Sequence, residues 1–340
     1  MRKSQKRACP DCGDKVFAEP VDRRDFLRIA GAAAAAAFAL RGVPAAFAQE
    51  AKPVAKTGHL AEDLIKELHA GLSDEQKTKV VSRFDDPARL MIYNKALGKT
   101  IGESYTKPQQ ELVERILRAI ASPDEAAWKQ ISRGGTWDAS KSFQNCGSNI
   151  FGDPSTGKFT WVFSGHHLTL RCDGDSEEGA AFGGPLYYGH TPNGYSARNV
   201  FNYQTLGVLS VFEALSEAQR KQAVVKGTPG EGLGSIKFRA AAQAKPGIPG
   251  SDLSADQKAL IDKVMRDILS PYRKEDVDEA MQVVKGQGGM DKINLAFYKE
   301  EDTVDAKEPW HFWRLEGPGF VWNYRVLPHV HTFVNISAKI

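Results

Sequence analysis

Two pairs of histidines have the spacing of metal ligands. His166 and His167 are adjacent in the apolar run FSGHHLTLRC (Phe163–Cys172), and His329 and His331 flank Val330 in PHVHTF near the C-terminus. Residues i and i+2 of a strand point the same way, so His329 and His331 would offer two imidazoles from one rigid face. His166 and His167, if extended, would diverge. His167 would share its side with Thr169 and Arg171, and His166 with Leu168 and Leu170. The less apolar side favours His167, but Gly165 would permit a bulge that re-aims either ring, so both remain candidates. Three neutral imidazoles with an open position suit one ion of zinc, copper or non-haem iron. On zinc such a site lowers the pKa of bound water to about 7 and supplies hydroxide at neutral pH. Copper or iron at the same opening would bind dioxygen or a reductant. His190 and Glu316, each at a turn-proximal strand end, are the expected extra ligands or proton-transfer groups, with Glu316 as the general base of a hydrolytic reaction. Neither HH nor HxH is specific by itself. The competing reading is hydrogen-bonded core histidines, because burying an imidazole without partners costs on the order of 1–3 kcal/mol.

Cys146 and Cys172 add a second alternative. An even pair in an oxidising compartment favours a disulfide. The bridge would close the segment from 146 to 172, contributing on the order of 3 kcal/mol in the chain-entropy picture. The other reading makes Cys172 a soft ligand to the ion.

The elements that must hold these residues are a mixture of helices and strands. LSDEQK (Leu72–Lys77), LSEAQR (Leu215–Arg220) and LSADQK (Leu253–Lys258) each place Gln three residues after Ser, the capping-box arrangement of a helix start. SPDEAAW (Ser122–Trp128) is a fourth start, with Ser122 as cap and Pro123 in the first turn. Leu112, Ile116, Leu117 and Ile120 recur at helical spacing, as do Leu260, Ile261, Val264 and Ile268. Between the helical patterns lies a Gly- and Pro-rich stretch, Lys226–Asp252, long enough to be a functional cover or a connector. Strand composition marks Lys158–Cys172, Ala180–His190 and Glu308–Val326, the last with a hairpin turn at Gly317-Pro318-Gly319, and VLPHVHTFVNI reads as a further strand. Helices around a strand-rich centre predict an α+β fold with a central, mainly antiparallel sheet.

The N-terminus reads as an export signal. Arg23-Arg24-Asp25-Phe26-Leu27 precedes an apolar run, Ile29–Leu40, that is too short for a membrane span and suits a signal h-region. Ala46-Phe47-Ala48 supplies a small-x-small cleavage pattern, so residues 1–48 are expected to be removed and residues 49–340 to form one α+β domain. The paired arginines resemble a twin-arginine signal. That implies passage through the twin-arginine export machinery, folding before export, and a periplasmic or secreted location. Cys9 and Cys12 fall in the expected signal and have no role in the mature chain. Nine of the 45 Lys+Arg and five of the 42 Asp+Glu precede Gln49, leaving 36 against 37. The overall +3 therefore belongs to the signal, and no basic stripe remains to bind nucleic acid or an anionic membrane surface. No later segment is apolar for long enough to span a membrane.

Several stretches, in order, resemble one bacterial family. GDPSTGKFTWVFSGHHLTL, FGGPLYYGHTPNG, LSEAQRKQAV and a terminal RLEGPGFVWNY…HVH are similar to the family called Domain of Unknown Function 3500, from about Leu60 onward. The family's Gln-Gly-Pro stands here as Glu316-Gly317-Pro318, and Arg325 follows Tyr324 where an Asp-Asn pair is usual. The resemblance implies that both histidine pairs belong to one domain and so converge. It implies no activity.

Three functions fit. The first is a mononuclear metalloenzyme on His329, His331 and one of His166 and His167, acting on a small molecule. Its pocket would be walled by Trp161, Phe163, Tyr187, Tyr188, Trp313, Trp322 and Tyr324. The second is a metal carrier or buffer whose shell is completed by Glu316, His190 or Cys172. The third is a metal-free module in which the aromatics bind a glycan. No phosphate loop opens a helix and no G-x-S-x-G is present.

Overall fold

The computed structural model describes residues 60–132, 140–240, 243–299 and 308–339. The expected signal, its cleavage point, Cys9 and Cys12 lie outside the described residues. The N-terminal part holds α1 (Leu60–Ala70), α2 (Asp74–Val80), β1 (Val81–Ser82), α3 (Ile101–Ser104), α4 (Lys107–Ile120) and α5 (Glu125–Ile131). A strand block follows, with β2 (Gly147–Asp153), β3 (Lys158–Gly165), β4 (Leu168–Cys172) and β5 (Leu186–His190). Next come α6 (Asn202–Ala214), α7 (Glu217–Ala223), β6 (Val224–Lys226), β7 (Ile248–Pro249), α8 (Ala255–Leu269) and α9 (Lys274–Gly286). The last block is β8 (Asn294–Lys299), β9 (Phe312–Gly317), β10 (Phe320–Arg325) and β11 (Val330–Ile336).

All eleven strands join one sheet in the order β1-β2-β3-β4-β5-β11-β10-β9-β8-β6, with β7 also on β8. Only β1–β2 and β6–β8 pair in parallel. The fold is α+β with a mainly antiparallel sheet, as the sequence predicts. The last strand does not lie at an edge: β11 inserts between β5 and β10 and joins the two strand blocks. Gly317 pairs with Phe320, so Pro318 and Gly319 make a two-residue hairpin turn, with Gly319 at φ 69°. No helix among the described residues is long and apolar enough to cross a membrane.

The three Leu-Ser-x-x-Gln segments all form capping boxes, at Ser73–Gln76, Ser216–Gln219 and Ser254–Gln257. Each such cap contributes about 1 kcal/mol. Their glutamines also meet one another. Gln257 donates to Gln219 at 2.9 Å, and Gln76 donates to Gln109, the box residue of α4, at 2.7 Å. The fourth helix start differs from expectation. Asp124, not Ser122, caps α5, because its carboxylate accepts from both Ala126 and Ala127 amides.

The two faces of the sheet are covered differently. One carries Trp161, Phe163, Leu170, Tyr188, Trp313, Trp322 and Tyr324 into the main core, where the helices bury Leu64, Leu112, Ile116, Ile261, Val264 and their neighbours. The opposite face is polar and yet buried. Ser164, Thr169, Arg171, Arg314, Glu316, Asn323, Arg325 and His331 lie on it, all under 5 % exposed. Irregular chain covers this face and bonds many of its groups. Thr169 Oγ bonds both the amide and the carbonyl of Tyr93, and Ser164 Oγ accepts from the Leu97 amide. Arg171 donates to the carbonyls of Arg89, Met91 and Pro185. The Gly/Pro-rich stretch supplies the second cover. Asn323 donates to the Gly230 carbonyl and to Ser235 Oγ, and Asn335 donates to the Ile236 carbonyl.

Candidate metal centre

Phe163–Cys172 is not one extended run. Gly165 pairs with Leu168, so His166 and His167 are the two-residue connection of the β3–β4 hairpin. Strand parity does not govern them, and the turn itself aims the rings. His329 immediately precedes β11, and His331 lies within it opposite Gly189 of β5. Strand β5 separates β4 from β11, so the hairpin turn and the HxH segment meet across it. Gly189 makes the room. Its amide donates to the His167 carbonyl at 3.0 Å. A Cβ there would stand 2.5 Å from the Val330 carbonyl and 2.9 and 3.1 Å from ring carbons of His331 and His167.

The rings converge. Centroids of His167 lie 5.1 Å from His329 and 5.2 Å from His331, and those of His329 and His331 lie 4.7 Å apart. The Nε2 atoms of His329 and His331 face each other at 3.0 Å. One ring nitrogen from each of His167, His329 and His331 lies within 4.8 Å of the others. Nitrogens on one tetrahedral ion at about 2.0–2.1 Å stand about 3.4 Å apart, so these separations bracket what an ion requires. All three side chains are buried. His166 packs on His167 at 4.3 Å between centroids and is not part of the converging set.

Burial holds His331 well below the ordinary imidazole range, and the charge of Arg325 and the rings of His167, His329 and His166 add to this. The ring is therefore neutral at pH 7 and keeps a lone pair for a cation. Its other nitrogen faces a residue that sequence reasoning missed. Glu231, from the Gly/Pro-rich cover, places Oε1 3.3 Å from His331 Nδ1. Arg325 Nη1 stands 3.0 Å from the same carboxylate, and Arg325 Nε donates to the His329 carbonyl at 3.1 Å. The one sequence signal for Glu231 was the length of its loop, which pointed to a cover but not to a residue.

The other expected site residues lie elsewhere. His190 pairs with Val330 in register, one position off Gly189, so its side chain points to the opposite face from His331. Glu316 shares the face of His331, but its register through Val321 reaches Asn335. That is four residues along β11 from His331, about 13 Å. Glu316 instead pairs with Arg314 at 2.9 Å and Arg239 at 3.0 Å, and the structure does not bring it to the triad. Cys172 ends β4 while His167 precedes that strand, about 16 Å away along it. The expected disulfide is not formed: both cysteines are free. Cys146 adjoins Gly147, which pairs with Ser164, whereas Cys172 pairs with Trp161, and β3 stands between them. Two strand spacings, about 9–10 Å, exceed what a disulfide spans. Of the seven aromatics expected to wall a pocket, Tyr187 touches the triad, edge-on to His331 at 5.4 Å. The other six belong to the main core.

Residues 50–336 match the family described as Protein of unknown function (DUF3500). The chain belongs to that family. No curated protein and no solved structure matches it. Both histidine pairs fall inside the matched region.

Proposed function

We propose that this DUF3500 protein holds one transition-metal ion (zinc, copper or iron) on His167, His329 and His331. On this reading it serves as a metal-dependent enzyme outside the cytoplasm. The observation that carries the reading is the convergence of three buried ring nitrogens within 4.8 Å of one another. Surface histidines gather by chance, but three fully buried imidazoles from two distant segments that converge on one point form the donor set and the spacing of a metal centre. Three protein ligands also match the open shell of a catalytic site, in which a fourth position takes water or substrate. The remoteness of His190, Glu316 and Cys172 from the triad favours this open shell over a filled carrier site. A bound ion would supply Lewis-acid or hydroxide chemistry there, or one-electron chemistry if it were copper or iron. The chain's own contribution is to desolvate the rings, fix their aim across Gly189 and keep His331 neutral. Export through the twin-arginine machinery rests on the Arg23-Arg24 segment and its apolar run.

Metal content of the folded full chain, measured by mass spectrometry beside a His329→Ala/His331→Ala double variant, tests the centre. Near one ion per wild-type chain and traces in the variant are expected. A folded wild type that stays metal-free after incubation with copper, zinc and iron would refute it.

A further inference from the structure

We propose that Glu231 is the positioning carboxylate of this centre: its charge, set against Nδ1 of His331, favours the proton there and leaves the Nε2 lone pair of that ring for the ion. The inference rests on the metal reading above and adds to it a residue from the cover of the polar face. An imidazole has one proton to place when neutral, and the partner of one nitrogen decides what the other can do. Glu231 Oε1 stands 3.3 Å from Nδ1, a charged contact not aligned as a hydrogen bond, while Nε2 on the far side of the ring faces His329 Nε2 at 3.0 Å. The carboxylate thus selects the Nδ1–H tautomer and leaves Nε2 as a donor atom aimed at the meeting point of the triad. Carboxylates behind ligating histidines generally act this way, fixing ring orientation and raising ligand basicity.

Three further contacts make this a built arrangement. Arg325 grips the carboxylate at 3.0 Å and through Nε holds the backbone carbonyl of His329, so one guanidinium ties the positioning group to a second ligand. Asn323 holds the cover on both sides of Glu231, at the Gly230 carbonyl and at Ser235 Oγ, each at 3.0 Å. The side chain of Glu231 is 19 % exposed and that of Arg325 4 %, so the pair is sheltered enough for its charges to act on the ring. The carboxylate also offsets part of the positive charge an ion brings, while Arg325 limits that offset.

The test compares wild type, Glu231→Gln and Glu231→Ala in the folded full chain, with zinc and copper affinities from chelator competition and the electron paramagnetic resonance spectrum of the copper(II) form. Glu231→Ala is expected to weaken both affinities by about 10–100-fold and to change the copper hyperfine pattern. Glu231→Gln, which keeps an oxygen facing Nδ1 but not the charge, is expected to recover part of the spectrum and part of the affinity. Unchanged affinity and spectrum in Glu231→Ala would overturn the assignment, as would a variant that loses only thermal stability of the metal-free protein. If the wild type itself takes up no ion, the metal reading fails before any variant is compared, so the two failures are distinct.

Discussion

The same polar face of the sheet carries two buried clusters of titratable groups, and they are built on opposite rules. At one end Arg314, Glu316 and Arg239 bring opposite charges together, so each group is answered by its neighbour. At the other end His167, His329 and His331 bring together three like groups, all buried, and burial holds His331 well below the ordinary imidazole range. The first arrangement pairs one anion with two cations. The second is the arrangement to which the proposed ion is assigned. Both recruit the same cover, Arg239 to the first and Glu231 to the second. The difference is one of kind: the first cluster joins opposite charges, and the second joins groups of one kind with a charged pair, Glu231 and Arg325, behind them.

Breaking the ion pair should have the largest effect on stability and none on metal. Glu316→Ala leaves two guanidinium groups facing a buried position without their anion, and a cost of roughly 3–5 kcal/mol is expected. Chemical denaturation should show it, with metal content per folded chain unchanged; a parallel loss of metal would mean the two clusters are one unit. Gly189→Ala sharpens the comparison from the other side. Its Cβ would press on the Val330 carbonyl and both rings, so a moderate loss of stability, about 1–3 kcal/mol, should come with a clear loss of metal affinity. Retention of full affinity in that variant would show that the rings do not need this gap.

The smallest effect concerns a carboxyl away from both clusters. Burial pushes Asp173 up to about 6. A carboxyl whose folded pKa lies above its unfolded value binds more protons when folded, so its contribution to stability declines as pH rises from about 4 to 6. Asp173→Asn keeps an oxygen to accept from the Glu177 amide and removes the titration. The pH slope of the thermal midpoint between 4 and 6 should flatten in the variant, and an identical slope would place the titration in another group.

Much of this was legible in the residues. The Ser-x-x-Gln boxes, the Pro318-Gly319 turn and the α+β class follow from local chemistry that tertiary packing left alone. The HxH spacing correctly put His329 and His331 on one side, because strand parity needs only the strand. Reasoning failed where long-range register decides. Nothing local says that β11 lies beside β5, so the remoteness of His190 and Glu316 could not be read, nor the separation of Cys146 from Cys172 by β3. The HH pair was assigned to a strand because its flanks are β-branched and aromatic, yet those flanks form two strands and the histidines are the turn. Glu231 had no periodicity to betray it; its role depends on where an irregular cover comes to rest.

The insertion of β11 at the junction of the strand blocks has a consequence for the order of events in the cell. Two ligands come from β11 and the residue just before it, and the third from a turn more than 160 positions earlier. During synthesis from the N-terminus, the hairpin of β3 and β4 emerges long before its counterpart exists. No partly made chain can present the set of three rings, and contacts so distant in sequence form late in folding. If the proposed ion binds, its capture follows completion of the sheet, and occupancy would certify a finished molecule.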